Sequence, residues 1–258
     1  MGPFGATMPA LRAEGEMKQA RRHNRLRRRL LTRAARAAIL LAGSSIGLIM
    51  KGADADIWDT AEPIRLLPPV TGGRLAVEAA MQLRRSVRDF TPGSISLADI
   101  SQILWAAQGV TDRAGYRTAP SAGALYPLEV WFAAGDVETL GAGTYRYDPR
   151  EHLLEPGMPG DWRGVIAEAA LSQRWIADAA AILIIAAIER RTTVKYGERG
   201  IRYIHIEAGH VAQNVYLQAT ALGLGTTIVG AFDDDAVAHV VDLPGDRVPL
   251  CLLPIGRH

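Results

Sequence analysis

Apolar positions along the chain recur with two different periods. Leu75, Ala79 and Leu83 fall four apart and predict a helix over residues 75–85. Ser96, Leu97, Ala98 and Asp99 open a second helix: Ser96 suits an N-cap, Asp99 suits the positive helix end, and Gly109 stops it. Residues 128–134 read as a strand, and 144–147 with 152–155 as a hairpin around Asp148 and Pro149. A helix over 161–171 follows. Residues 181–188 are uninterruptedly apolar and of strand length, which predicts a central strand covered on both faces. The longest helix runs over 202–222, with Ile204, Ala208, Val211, Val215, Ala219 and Leu222 as its apolar stripe and Gly223 and Gly225 at its end. A strand at 226–229, a helix at 233–241 and a strand at 248–255 complete the pattern. The order predicts one α+β domain, with helices covering a mixed sheet.

Composition changes this picture mainly at the N-terminus. The chain has 258 residues, enough for a proper core, and its single cysteine, Cys251, excludes an internal disulfide and a Cys-rich zinc site. Residues 1–55 hold 11 of the 29 Lys/Arg and 3 of the 27 Asp/Glu, so the remainder carries 18 against 24 and is acidic. The basic pI of 8.8 therefore belongs to the arm. A body of this charge does not suit nucleic acid.

Residues 1–55 read as an export signal. Arginines 21, 22, 25, 27, 28, 29, 33 and 36 precede an uncharged stretch over 37–50, whose 14 residues are short for a membrane span of about 20. Arg27, Arg28, Arg29, Leu30 and Leu31 match the twin-arginine pattern, and Ala53, Asp54 and Ala55 give a small-x-small cleavage pattern that would leave Asp56 first. The expected location is periplasmic or extracytoplasmic, with an uncleaved N-terminal anchor or a basic arm as alternatives. Met17 is a candidate start. Residues 56–73, with Pro63, Pro68, Pro69, Gly72 and Gly73, read as an extended arm on a domain over 74–258.

Four stretches carry candidate chemistry. Arg84, Arg85, Ser86 and Arg88 put three guanidinium forks and a hydroxyl beside a helix end, enough to enclose a phosphate, or else form a solvated basic end. Pro120, Ser121, Ala122 and Gly123 begin a run of small residues between two prolines, suited to close backbone approach to something flat or to a tight surface loop. Lys195 and Tyr196 are candidate proton-transfer groups on a connector, or solvated residues. Gly223, Gly225, Val229, Gly230 and Ala231 allow close contact with a ligand, without the glycine spacing of a dinucleotide fingerprint. No metal site is expected: His205 and His210 lie about 140° apart around a helix.

In order along residues 70–256, these stretches resemble the nitroreductase superfamily, specifically its SagB-type dehydrogenases, which include azoline oxidases. The resemblance also rests on residues 104–109, 145–149 and 207–214. It implies a nitroreductase-like α+β fold and a homodimer with FMN at the subunit interface. By position, Arg84, Arg85, Ser86 and Arg88 match the segment binding the FMN phosphate and ribityl chain. Pro120, Ser121, Ala122 and Gly123 match the loop against the ring, often supplied by the other subunit. Gly225, Val229, Gly230 and Ala231 match the segment on the opposite side. Arg257 stands where many relatives continue to a basic phosphate ligand. Lys195 and Tyr196 match the Lys-Tyr pair of azoline oxidases and are the implied catalytic residues. The implied function is hydride transfer through the flavin, with NAD(P)H as a donor. The alternatives are a peptide-azoline oxidase making thiazole or oxazole rings, or a catalytically silent flavin-fold component.

Overall fold

The sheet is built around one strand with no polar side chain. In the computed structural model, residues 62–258 are described, and the expected export signal over 1–55 lies outside them. Strand β5 (Ala181–Ala187) is buried at every position. Leu183 and Ile185 point into one core with Ile103, Leu104, Val211 and Val215. Ile182 and Ile184, alternating with them, point into a second core with Ile166, Val237 and Val240. A strand's period of two puts neighbours on opposite faces, so a continuous apolar run marks a strand with a core on each side.

The other strands are β1 (Ile64–Arg65), β2 (Leu128–Ala134), β3 (Gly143–Asp148), β4 (Leu153–Pro159), β6 (Gly225–Thr226) and β7 (Val248–Gly256). They form one seven-stranded sheet in the order β1-β4-β3-β2-β5-β7-β6. Every ladder in it is antiparallel, which corrects the expected mixed sheet. An apolar run reports burial on both faces. It carries no information on the direction of the neighbouring strands.

Six α-helices flank the sheet among the described residues: α1 (Val77–Leu83), α2 (Leu97–Gln108), α3 (Arg163–Ala169), α4 (Arg190–Tyr196), α5 (Arg199–Ala221) and α6 (Asp234–Val240). Helix α2 is capped as its sequence predicts: Ser96 Oγ accepts from Asp99 N–H at 3.0 Å and donates to Asp99 Oδ2 at 2.7 Å. The stretch expected to be a bare connector around Lys195 and Tyr196 is instead the end of α4. Only Thr192 of α4 is buried, so apolar spacing gave no helix signal. Gly197, at φ +56°, stops it.

Two further segments position the site. The strand expected over 226–229 is paired only at Gly225 and Thr226, because Ile228 N–H leaves the ladder for the Tyr216 hydroxyl at 2.9 Å. The chain returns to β7 at Val229, which exchanges both backbone bonds with Leu252 at 2.8 and 2.9 Å. The arm after residue 62 is pinned where Leu67 O accepts from Ser101 Oγ at 2.7 Å and from His152 Nε2 at 2.8 Å. Tyr147 Oη closes this group 2.9 Å from His152 Nδ1.

Candidate functional site

Tyr216, near the C-terminal end of α5, ties two of the candidate stretches together. Its hydroxyl accepts from Ile228 N–H at 2.9 Å and lies 3.2 Å from both Ser86 Oγ and Thr227 Oγ1. The Arg84 guanidinium sits over its ring at 5.1 Å. Burial pushes the Tyr216 hydroxyl up, but its hydrogen bonds with Ser86, Thr227 and Ile228 N–H, together with the Arg84 charge, outweigh it and hold it below the usual phenol range. Val87 N–H donates to Thr226 O at 3.0 Å. Gly225 permits this approach: a Cβ there would fall 2.6 Å from Val87 Cγ1.

The four members of the basic cluster are used differently. Arg84 and Ser86 gather at Tyr216. Arg88 lies 5.9 Å from the Trp175 ring, which also stacks on Phe90 at 6.4 Å. Arg85 turns back on its own helix, donating to Gln82 O at 2.9 Å and Arg84 O at 2.7 Å. Arg257 is held elsewhere: its Nε donates to Ser94 O at 2.8 Å, and its stem packs where a side chain on Gly93 would stand. On the far side of Tyr216, Val229 is buried while Gly230 and Ala231 are exposed, and Ala231 O accepts from Gln173 Nε2 at 2.9 Å.

A second group forms around the loop after Pro120. Ser121 Oγ accepts from Tyr126 N–H at 2.9 Å, and residues 122–124 make one 3₁₀ turn. Ala124 and Tyr126 hold φ of +54° and +46°, a left-handed conformation that costs non-glycine residues about 1–3 kcal/mol and concentrates at functional sites. Gly123, at +65°, faces Tyr196 and Lys195 closely enough that a Cβ would fall 2.8 Å from Tyr196 Oη and 3.0 Å from Lys195 Nζ. Lys195 Nζ is 5.3 Å from the Tyr196 ring, and Tyr203 of α5 meets that ring edge-on at 5.1 Å. Lys195 is exposed and Tyr196 half-buried, so both reach solvent beside the glycine.

Beneath this loop lies a buried carboxyl that the spacing argument passed over. Glu207 is 2% exposed, and its Oε1 has no hydrogen-bond partner. Burial pushes its pKa up to about 7, against the opposing pull of the Ser121 hydroxyl, the Arg117 guanidinium and the Gln108 amide. Arg117 lies over the Tyr126 ring at 4.5 Å and donates to Gln108 Oε1 at 2.7 Å.

Within one chain these two groups stand apart. Tyr203 and Tyr216 are thirteen residues apart on α5, roughly 20 Å along its axis and on nearly opposite faces. Ser86, Arg84, Gly225 and Thr227 gather at one end. Gly123, Lys195 and Tyr196 gather at the other.

Residues 81–257 match the nitroreductase family model. The chain belongs to the nitroreductase family. A nitroreductase-family protein of Methanocaldococcus jannaschii is 46% identical over 183 residues, covering 71% of this chain and 91% of that protein. Among solved structures, a Ralstonia eutropha nitroreductase-family protein superposes with a TM-score of 0.67 at 30% identity, covering 76% of this chain and 90% of that one. A chain of the Escherichia coli microcin synthetase McbBCD complex, solved with truncated pro-MccB17 bound, gives a TM-score of 0.59 at 25% identity over 79% of this chain and 80% of that one.

As a nitroreductase-family chain, the protein shows which site positions periodicity could not find. Tyr216 stands beside Val215 of the α5 stripe and carries no spacing signal of its own, although its hydroxyl organises two loops. Glu207 had a usable signal: it follows Ile204 by three residues and precedes Val211 by four, so a carboxyl stands inside the apolar stripe. Arg117 had none, because its place is set by contacts with Gln108 and the Tyr126 ring.

Proposed function

We propose that the chain is an FMN-dependent oxidoreductase of SagB type, transferring hydride through the flavin as a homodimer, with NAD(P)H as an electron donor. One observation carries the reading: Tyr216 and Gly225 hold residues 84–88 against residues 225–228. The donor set fits the group. Arg84 and Arg88 supply guanidinium forks and Ser86 a hydroxyl for a phosphate. The exposed Gly230 and Ala231, and the bare face of Gly123, suit a flat ring. Bound there, FMN supplies a two-electron carrier that exchanges hydride with a substrate and with a second acceptor. This chain's own part is to bind the phosphate through Arg84, Ser86 and Arg88 and to present Tyr196 Oη and Lys195 Nζ to substrate.

The same geometry supports the homodimer. The Tyr216 group and the Gly123 group face apart on one helix, so a single ligand touched by both needs Gly123 from a second copy. We also infer that residues 1–55 direct export. Mass spectrometry of the native N-terminus tests that: a start at Asp56 supports it, and an intact arm in the membrane fraction overturns it.

A second reading within the same chemistry is favoured by Gly123, Lys195 and Tyr196 standing together and by the likeness to the microcin synthetase chain. In it, bound flavin would supply the hydride acceptor for a peptide azoline, and Tyr196 Oη, as phenolate, would take the α-proton, with Lys195 as the charge partner. Both readings require bound flavin. The test is to purify the full chain from a flavin-replete host, denature it and identify what is released. Yellow protein releasing FMN supports them. Colourless protein that takes up no added FMN overturns both and leaves a silent binding component.

A further inference from the structure

A guanidinium-lined recess lies beside the loop of residues 121–126 and takes no part in the reading above. It has a volume of about 180 Å³ and is bounded by the ends of β2 and β3, with Arg117, Arg146, Arg150 and Arg191 in its wall. A wider recess of about 420 Å³ shares Arg117 and Arg150 and opens over Arg113 and Tyr126.

The charges in the smaller recess do not balance. Two carboxylates line it, Glu129 and Asp148. Glu129 is taken twice, by Arg191 Nη2 at 2.8 Å and by Arg247 Nε at 2.9 Å. Asp148 Oδ1 accepts the backbone N–H groups of Arg150 at 2.8 Å and Glu151 at 3.3 Å. Arg146 is paired with Glu155. Arg117 and Arg150 make no ion pair among the described residues. Burial draws the Arg117 pKa down, and the nearby Arg191 and Arg150 charges draw it the same way, against Tyr126 and the raised carboxyl of Glu207. Like charges are thus gathered rather than spread, which costs free energy unless an anion joins them.

A second observation points the same way. Gln108 lines the recess, is 1% exposed, and has its Oε1 taken by Arg117. Its Nε2 is buried and makes no full hydrogen bond, with only the largely protonated carboxyl of Glu207 close enough to feel it. An oxyanion between this amide and the Arg117 fork would give both a full acceptor.

We propose that Gln108, Arg117 and Arg150 form a binding site for an oxyanion, a phosphate or carboxylate group carried by a molecule that reaches the Gly123 loop. Ala124 and Tyr126 line the wider recess, so a ligand anchored here lies on the same loop as Gly123. The chemistry admits two sources: the phosphate of a reduced nicotinamide nucleotide, or a carboxylate of the substrate.

The test begins with the full chain carrying Arg84→Ala and Arg88→Ala, which removes the phosphate site proposed for FMN and serves as the parent, and with inorganic phosphate read by ³¹P line broadening at constant ionic strength in chloride. Phosphate should bind, and the exposed Arg150→Gln should weaken it roughly tenfold, the loss expected for one charge-assisted hydrogen bond. The surface control Arg74→Gln should leave it unchanged. No binding by the parent protein, or equal binding by Arg150→Gln, overturns the site whatever becomes of the flavin. Steady-state reduction then separates the sources. A KM that rises for NADPH alone assigns the 2′-phosphate of the nucleotide, and one that rises for NADH and NADPH alike assigns the pyrophosphate they share. A KM that rises only for acidic substrates assigns the carboxylate.

Discussion

Gly123 leaves no room for a side chain beneath the Tyr196 hydroxyl, since a Cβ on it would stand 2.8 Å from Tyr196 Oη. The loop and the end of α4 are therefore fitted to each other at one atom. Gly123 also holds φ +65°, where an L-residue is strained by about 1–2 kcal/mol. Gly123→Ala should lower the thermal midpoint by several degrees and cut turnover at least tenfold. Adding Tyr196→Phe, which removes the crowded hydroxyl, should recover part of the stability. Melting curves of the two single variants and the double variant measure this coupling, and strict additivity would show that the two residues do not press on one another.

Tyr196→Phe alone should keep the fold and the bound flavin. Azoline oxidation, which needs a base, should fall roughly 10²-fold or more. Quinone reduction by NAD(P)H, which needs only hydride passage, should barely change. Parallel assays on one preparation decide it, and no loss in either assay would remove Tyr196 from the chemistry.

Arg84→Ala with Arg88→Ala should purify with less flavin than the parent protein. Each charge-assisted contact to a phosphate is worth about 1.5–3 kcal/mol, so retention should drop by at least an order of magnitude. Arg85→Ala should have a smaller effect, because that guanidinium is spent on the carbonyls of Gln82 and Arg84. Flavin content per chain, by absorbance after denaturation, is the readout. Full occupancy in the double variant would refute the phosphate assignment.

Glu207 sets a pH dependence of opposite sign to an ordinary paired carboxylate. Its folded pKa of about 7 lies above the ordinary carboxyl value of 4.5, so the folded state holds the proton more tightly. Its contribution is thus fully present at low pH and is lost as pH rises through about 7. Glu207→Gln removes the ionisation. Relative to the parent, it should gain on the order of 1–3 kcal/mol in stability between pH 5 and pH 8. Urea midpoints at the two pH values test it, and an unchanged difference would mean that Glu207 is solvated.

Much of the scaffold was legible because burial leaves a periodic trace. The apolar run of β5, the α5 stripe and the Ser96 cap all appear where pattern and capping chemistry place them. Less legible was anything decided by contact between segments distant in sequence. Residues 226–229 look uniformly strand-like, yet the hydroxyl of Tyr216 takes Ile228 out of the ladder. Nor does the spacing of the arginines show that Arg85 would fold back while Arg84 lay across a tyrosine. The link between Gly123 and Tyr196 spans 73 residues of chain and is visible only in three dimensions.

Helix α5 touches both groups of candidate side chains, one through Tyr203 and the other through Tyr216, and that gives its length a meaning beyond packing. Each residue of an α-helix advances about 1.5 Å and turns about 100°. One residue inserted between Tyr203 and Tyr216 would leave the rod intact and swing one end's chemistry by more than a quarter turn against the other. The residue count of this central rod is therefore itself a part of the candidate site.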